Sequence, residues 1–363
     1  MRGKKMNLDR REMLGVGYEP AGAGRAGSFM QRDDVVDFAG VNQEGVEILS
    51  MEDALKKHPE IRKRYYGRAF GEIGKEYEKD TRGGYFIRVK KGVRTIFPVQ
   101  ACLYLKSKKF RQKVHNLIIL EEGAEAHLLT GCVSEEAAGE AYHLGISEFF
   151  VHRNASVNFT MIHSWKKGVE VEPKSVAIVE KGGSFLSNYV CLRPVRSIRM
   201  YPTCILKGRG GRARFNSVIM GYDGSRQDIG SRVVMREKDC SAEIVSRAVS
   251  LGGIVIARGQ LIAQSPQVKA HLECRGLVIS EKGTIHAIPE LETVYRDVEM
   301  SHEAAIGKIR RDEIEYLASR GISEEEAQSV IIRGFMDVEI LGLPSFLREE
   351  IEKVTERTLK ETF

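Results

Sequence analysis

Between about residue 81 and residue 307 the chain alternates apolar and polar positions in short runs, and the runs recur. A turn-former, a small or apolar residue, a polar residue and an apolar one follow each other seven times. They read Gly123-Ala-Glu-Ala, Asn154-Ala-Ser-Val, Gly182-Gly-Ser-Phe, Gly210-Gly-Arg-Ala, Asp239-Cys-Ser-Ala, Gln267-Val-Lys-Ala and Asp297-Val-Glu-Met. The steps between them are 31, 28, 28, 29, 28 and 30 residues. Three positions after each turn-former stand Ala126, Val157, Phe185, Ala213, Ala242, Ala270 and Met300, all apolar. Five positions after stand Leu128, Phe159, Ser187, Phe215, Ile244, Leu272 and His302, mostly large and apolar. The positions between are mostly polar. Side chains alternate faces along a strand, so odd offsets face in and even offsets face out.

A stack of strands with one buried face and a constant step reads as a solenoid. The fold class expected is mainly β, a right-handed parallel β-helix core with α-helical N- and C-terminal segments. The alternative is an antiparallel sandwich with regular hairpins. Three regions follow: residues 1–80, mixed and partly helical; 81–307, the β-helix; and 308–363, helical. In the first, Asp53–His58 suits a helix and Tyr18–Gly27 a Gly/Ala-rich loop. In the last, Asp312–Ser319 and a helix opened by the capping box Ser323…Glu326 are expected. The second would bury Ala327, Val330 and Ile331. A final amphipathic helix would run from Ser345 to about Leu359.

Composition refines this picture at two points. The 36 glycines suit a fold whose every coil needs tight corners with positive φ. The six cysteines, Cys102, Cys132, Cys191, Cys204, Cys240 and Cys274, include no C-x-x-C pair. A zinc ribbon or ferredoxin-type site is thereby unsupported. The basic N-terminus is followed by no apolar stretch of a secretory signal, so a cytoplasmic protein with reduced thiols is expected. No run suits a membrane helix. The net charge is +6, yet residues 308–363 hold 9 basic and 13 acidic residues. An acidic helical tail beside a basic body suits protein partners better than nucleic acid, and no aromatic–basic run resembles an RNA-binding sheet. No Walker A, G-x-S-x-G or H-E-x-x-H motif occurs, so neither ATP hydrolysis nor those hydrolase chemistries are expected of this chain.

The register also places chemistry indoors. Nine positions after their turn-formers stand Cys132, His163 and Cys191 in three successive coils. Cys274 holds an inward seventh position and His302 an inward fifth, and Trp165 has inward parity as well. Taken singly, a buried Cys is usually a small hydrophobe and a buried His a satisfied core residue. Together they could line one internal track.

The run Ser-His-Glu-Ala at 301–304, Ile306-Gly307, Glu313, Tyr316-Leu317, Ser319-Arg-Gly-Ile, Glu324–Ala327, Ile331-Ile332 and Gly334-Phe335 resembles the C-terminal signature of the SufB/SufD family. These are scaffold components of the Suf iron–sulfur cluster assembly machinery. Gly92-Val93 and Pro98-Val-Gln resemble the start of that family's β-helix. The resemblance covers roughly residues 80–345. It implies a β-helix core and an ABC-type, SufC-like ATPase docked on the C-terminal helices. It also implies that Cys274, His302 and Glu303 hold a nascent, transient iron–sulfur cluster. By the same resemblance Cys132 accepts sulfur, and His163, Trp165 and Lys181 fall on an internal sulfur-transfer path. The sulfur donor would be a cysteine desulfurase or sulfide, and the products would pass to Fe–S acceptor proteins. Whether reduced flavin supplies electrons stays open.

Departures from the family matter. The chain is shorter than a typical SufB and lacks its N-terminal cysteine motif. His163 stands for the family's Gln, and Ser301 for a Glu. One chain carries both the SufB-like Cys274 and the SufD-like His302, which implies a homodimer. The expected function is therefore a non-enzymatic assembly scaffold, with ATP used only by the partner. Cys132 would react as thiolate, with Lys181 lowering its pKa if near. The alternatives are a non-catalytic SufD-like subunit and, remotely, a β-helix polysaccharide lyase or hydrolase. The last lacks the outward acidic line such chemistry needs.

Overall fold

A computed structural model describes residues 10–19 and 24–336 of the chain. It is mainly β, a solenoid of about 8 turns with a few short helices. Two sheets face each other across a lumen. The first contains, in order, Val35–Val41, Gly27–Arg32, Val99–Leu105, Glu125–Ser134, Ser156–Ser164, Ser184–Cys191, Arg212–Tyr222, Ser241–Leu251, Val268–Val278 and Val298–Gly307. From Gly27–Arg32 onward every neighbouring pair in it is parallel. The antiparallel sandwich is thereby excluded.

The repeat read from the sequence is the repeat of this sheet. Five of its strands open two residues after their turn-formers, at Glu125, Ser156, Ser184, Arg212 and Ser241. Val268 and Val298 open theirs one residue after. Six of the turn-formers have φ between +54° and +70°: Gly123, Asn154, Gly182, Gly210, Asp239 and Gln267. Only glycine takes that conformation without steric cost, so the corners filled by Asn, Asp and Gln are held by the coils on either side. Apart from Ser187 and His302, the residues three and five after the corners line the lumen in one continuous apolar core with the inward side chains of the second sheet.

The outward faces are less polar than alternation alone suggests. Late outward positions of the first sheet, including Leu129, Ile162, Val190, Val218 and Val249, are buried. They are covered by Met13, Val16 and Tyr18 from one end of the chain and by Ile332 and Met336 from the other. Outside the second sheet, helices Met51–Lys57 and Pro59–Arg64 pack on Phe86, Leu117 and Ile119, and Phe70 packs on Ile146, Val176 and Ile205. A buried polar clamp fixes this covering. Glu148 accepts hydrogen bonds from the Gly67 and Ala69 amides at 2.5 and 2.8 Å and meets His115 Nε2 at 2.8 Å. Both side chains are 0% exposed.

The two ends differ. At the N-terminal end both sheets finish in an antiparallel strand, Val35–Val41 on Gly27–Arg32 and Val46–Ser50 on Tyr85–Val89. The sheets therefore begin well before the hydrophobic repeat becomes visible. At the other end, Thr284–Thr293 and Val298–Gly307 are each paired on one side among the described residues. Most of their residues are exposed. Beyond them come helices Arg311–Ala318 and Glu324–Phe335, the second with the capping box at Ser323 and Glu326. Its buried residues are Ala327 and Ile332, while Val330 is 45% exposed, so the packed face is rotated from the one expected. The final helix expected at 345–359 lies outside the described residues.

Candidate functional site

Two inner rows of the first sheet carry its chemistry. Cys132, His163 and Cys191 are direct register partners on successive strands. All three are buried, with at most 1% exposure. The neighbouring inner row holds Thr130, Met161, Tyr189, Ser217, Ser246 and Cys274, again in direct register. Strands in a sheet lie about 4.8 Å apart, so Tyr189 and Cys274 are three steps, roughly 14 Å, from each other. The Ser217 hydroxyl donates to that of Ser246 at 3.1 Å. Hydroxyls thus bridge an apolar lumen between the two groups of thiols.

At the first group the rings interlock. Tyr189 Oη lies 3.0 Å from His163 Nδ1. The His163 ring stands edge-on to Trp165, with centroids 5.2 Å apart, and Trp165 lies 5.0 Å from His143. His143 Nδ1 in turn meets Gln112 Oε1 at 2.8 Å. Burial pushes His163 well below the usual imidazole pKa, with the nearby His143 adding to the fall. His143 drops to about 3 from burial alone. Both rings are neutral near pH 7. The indole Nε1 of Trp165 and Nε2 of His163 are buried without a partner. A cavity of about 20 Å³ opens in the lumen beside Tyr189, Met161 and Ser217, room for about one small guest.

Two expectations about this group need correction. Burial raises the Cys132 thiol far above its ordinary pKa, so it is not a ready thiolate. Lys181 does not lower it. That residue is exposed on the turn before Ser184–Cys191 and accepts the Asn154 amide with its carbonyl. It sits at the corner end of the coil, whereas His163 and Cys191 lie at the far ends of their strands, about 23 Å of strand away. Cys132, His163 and Trp165 come together in the lumen; Lys181 does not join them.

The second group is also divided. Cys274 is 2% exposed and faces the lumen, its pKa raised to about 11 by burial and by the Glu273 charge. His302 shares its inward parity, but it is exposed on the last described strand, in register with Leu272. Glu303 follows it and so takes the opposite face, in register with Glu273. There Arg275 reaches Glu273 at 3.2 Å and Glu303 at 3.6 Å, and Arg247 also pairs with Glu273. Within one chain Glu303 therefore does not face Cys274. It joins His271 and Glu273, whose potential ligand atoms and its own lie within 4.8 Å of one another.

Sequence reading missed Tyr189, Ser217 and Ser246. The signal was available: seven positions after each turn-former the inner row turns from Met161 to hydroxyls and then to Cys274. It also missed Gln112 and His143, which belong to the second sheet, where no corner motif sets the register.

Comparison with known proteins gives a consistent result. Residues 103–335 match the family model described as "SUF system FeS cluster assembly, SufBD core domain". A protein of Archaeoglobus fulgidus, named iron–sulfur cluster assembly SufBD family protein, is 46% identical over 97% of this chain and 95% of its own length. One of Methanothermobacter thermautotrophicus with the same name is 42% identical over 96% of this chain and 87% of its own length. One of Pyrococcus horikoshii, again of that family, is 30% identical over 91% of this chain and 76% of its own. No helix among the described residues is long and apolar enough to cross a membrane.

Proposed function

The chain belongs to the SufBD family of iron–sulfur cluster assembly proteins, and on that premise we propose that it is a scaffold on which a nascent cluster is built. The reading is carried by the inner row that runs from Tyr189 through Ser217 and Ser246 to Cys274. Sulfur enters at the Cys132–His163–Cys191 end, sheltered from solvent and oxidants. It reaches Cys274, whose soft thiolate suits iron and sulfide. Loss of the Cys274 proton is the costly step in a buried site, and iron itself offsets that cost on binding.

Cys274 and the exposed His302 supply two ligands of different kinds, and further ligands come from a second copy of the chain across the open end. Thr284–Thr293 and Val298–Gly307, each paired on one side among the described residues, offer strand edges for that contact. Helices Arg311–Ala318 and Glu324–Phe335, with Tyr316 and Val330 exposed, dock an ABC-type ATPase that does the ATP hydrolysis. The chain itself performs no turnover. Anaerobic reconstitution with ferrous iron and sulfide tests this reading by visible absorption. Wild type gains the cluster bands and Cys274→Ala does not; equal bands in both would overturn it.

A second reading, a SufD-like subunit without cluster chemistry of its own, draws on the elevated pKa of the enclosed Cys132 thiol. It predicts that Cys132→Ala and Cys274→Ala leave cluster assembly unchanged.

A further inference from the structure

Three side chains on the outer face of the last coils have no task in the scaffold reading. His271, Glu273 and Glu303 stand together there, and one nitrogen or oxygen from each lies within 4.8 Å of the others. The strand register explains the meeting. His271 and Glu273 are two residues apart and share a face, and Glu303 is the direct partner of Glu273 on the next strand. Cys274 follows Glu273, points into the lumen and is no member of the group.

Two carboxylates in direct register repel one another unless a cation stands between them. Arg275 is that cation, 3.2 Å from Glu273 and 3.6 Å from Glu303. Yet Arg275 is itself the register partner of Arg247, which also pairs with Glu273. Two like-charged pairs therefore lie side by side. Arg247 is only 11% exposed, whereas Arg275 is 43% exposed and has water to swing into.

We propose that His271, Glu273 and Glu303 form a site for a divalent transition-metal cation, with Arg275 as the counter-cation that the metal displaces. One imidazole and two carboxylates suit ferrous iron or manganese, because the nitrogen disfavours magnesium and calcium and no thiolate is present. The surroundings supply what such ligands need. His271 Nδ1 lies 2.9 Å from Ser301 Oγ. When Nδ1 donates its proton to that hydroxyl, the lone pair stands on Nε2, free to ligate. Arg247 stays on Glu273 and fixes its carboxylate. Ligand atoms at right angles around such an ion stand about 3 Å apart, so the trio must close by no more than about 2 Å. A groove of about 700 Å³, lined by Arg214, Lys269, His271 and Ser301 among others, gives a hydrated ion its approach. The role assigned here, holding ferrous iron beside the place of use, rests on the scaffold reading; the site itself does not.

The test is titration of the full chain with Mn²⁺ alone, free ion being read by its electron paramagnetic resonance signal. Wild type and Cys274→Ala are each expected to bind one Mn²⁺ per chain with the same affinity. His271→Ala and Glu303→Gln should each weaken binding by about tenfold or more. Arg275→Gln should tighten it roughly tenfold, the effect of removing one exposed positive charge from beside a dication. An ion-pair network with no metal function predicts no saturable binding by any of these chains, and that result overturns the proposal. Unchanged affinity in folded His271→Ala or Glu303→Gln overturns it, as does weaker binding in Arg275→Gln or loss of binding in Cys274→Ala. Cluster formation is read separately, by absorption after ferrous iron and sulfide are added. A cluster that needs Cys274 in a chain that binds no Mn²⁺ removes this site and leaves the scaffold reading intact. Mn²⁺ bound by a chain whose Cys274→Ala variant still builds the cluster does the reverse.

Discussion

The Ser217 hydroxyl donates to the Ser246 hydroxyl across 3.1 Å, and the register partner of Ser246 on the next strand is Cys274. Each hydroxyl is a small polar group in an apolar lumen, and the two satisfy one another. Replacing both by alanine removes donor and acceptor together, so stability changes by no more than about 1 kcal/mol. The expected loss is functional. In Ser217→Ala/Ser246→Ala the initial rate of cluster absorption falls several-fold while the thermal midpoint stays within a few degrees. An unchanged rate would remove these hydroxyls from the proposed route to Cys274.

Glu148 holds two helix-segment amides and His115 with no exposure. Glu148→Ala strands those donors inside the protein. The expected cost is about 3–5 kcal/mol, the usual price of breaking a buried charged network. Chemical denaturation measures it, and limited proteolysis should find new cleavage between residues 58 and 84. Glu148→Gln keeps an acceptor oxygen and should lose less.

Acid should destabilise the protein earlier than its carboxylates alone would. The pKa of His143 falls from 6.5 to about 3 in the fold, and that of His163 falls as well. A depressed imidazole pKa means that the unfolded chain binds the proton first. The contribution is complete above about pH 6.5 and is lost as pH falls toward 3. Each histidine adds a slope of up to about 1.4 kcal/mol per pH unit in that window. Urea midpoints at pH 7, 6 and 5 measure it, and His143→Gln should flatten the slope by about one proton.

The corners offer a paired test of backbone strain. Gln267 holds φ at +60°, where a Cβ is unfavourable. Gln267→Gly should be neutral to stabilising, by up to about 1 kcal/mol. Gly182 is the opposite case: φ is +67° and an added Cβ would lie 2.3 Å from Asn154 Oδ1. Gly182→Ala should therefore lower the thermal midpoint. Thermal melts of the two single variants decide it, and a fall in both would mean that the Gln267 side chain contributes more than its backbone costs.

What could be read in advance followed the physics of each feature. The corners were legible because positive φ selects a few residue types and recurs once per coil. Cys132, His163 and Cys191 were legible as a row because parallel register preserves offset from the corner. The burial of Leu129 and Val190, outward by parity, was not legible, because the chain ends that cover them lie more than 100 residues away in sequence. Lys181 was misplaced for a related reason. A short sequence match fixes the position along the chain, but the coil puts that position at the wrong end of the strand. Glu303 failed by parity, because adjacent residues on a strand cannot both face Cys274.

The unequal ends described above give the molecule a direction. A solenoid is held together by contacts between neighbouring coils, so local opening starts where a coil has only one neighbour. The N-terminal coil is shielded by antiparallel strands and helices, whereas Val298–Gly307 has a single partner strand among the described residues. Hydrogen exchange should therefore be graded, slow around Phe149 and faster with each coil toward residue 307. His302 lies in the coil that opens first and Cys274 in the coil behind it. Their region can breathe while the Cys132 end stays shut, so the solenoid works as a tube closed at one end and unlatched at the other.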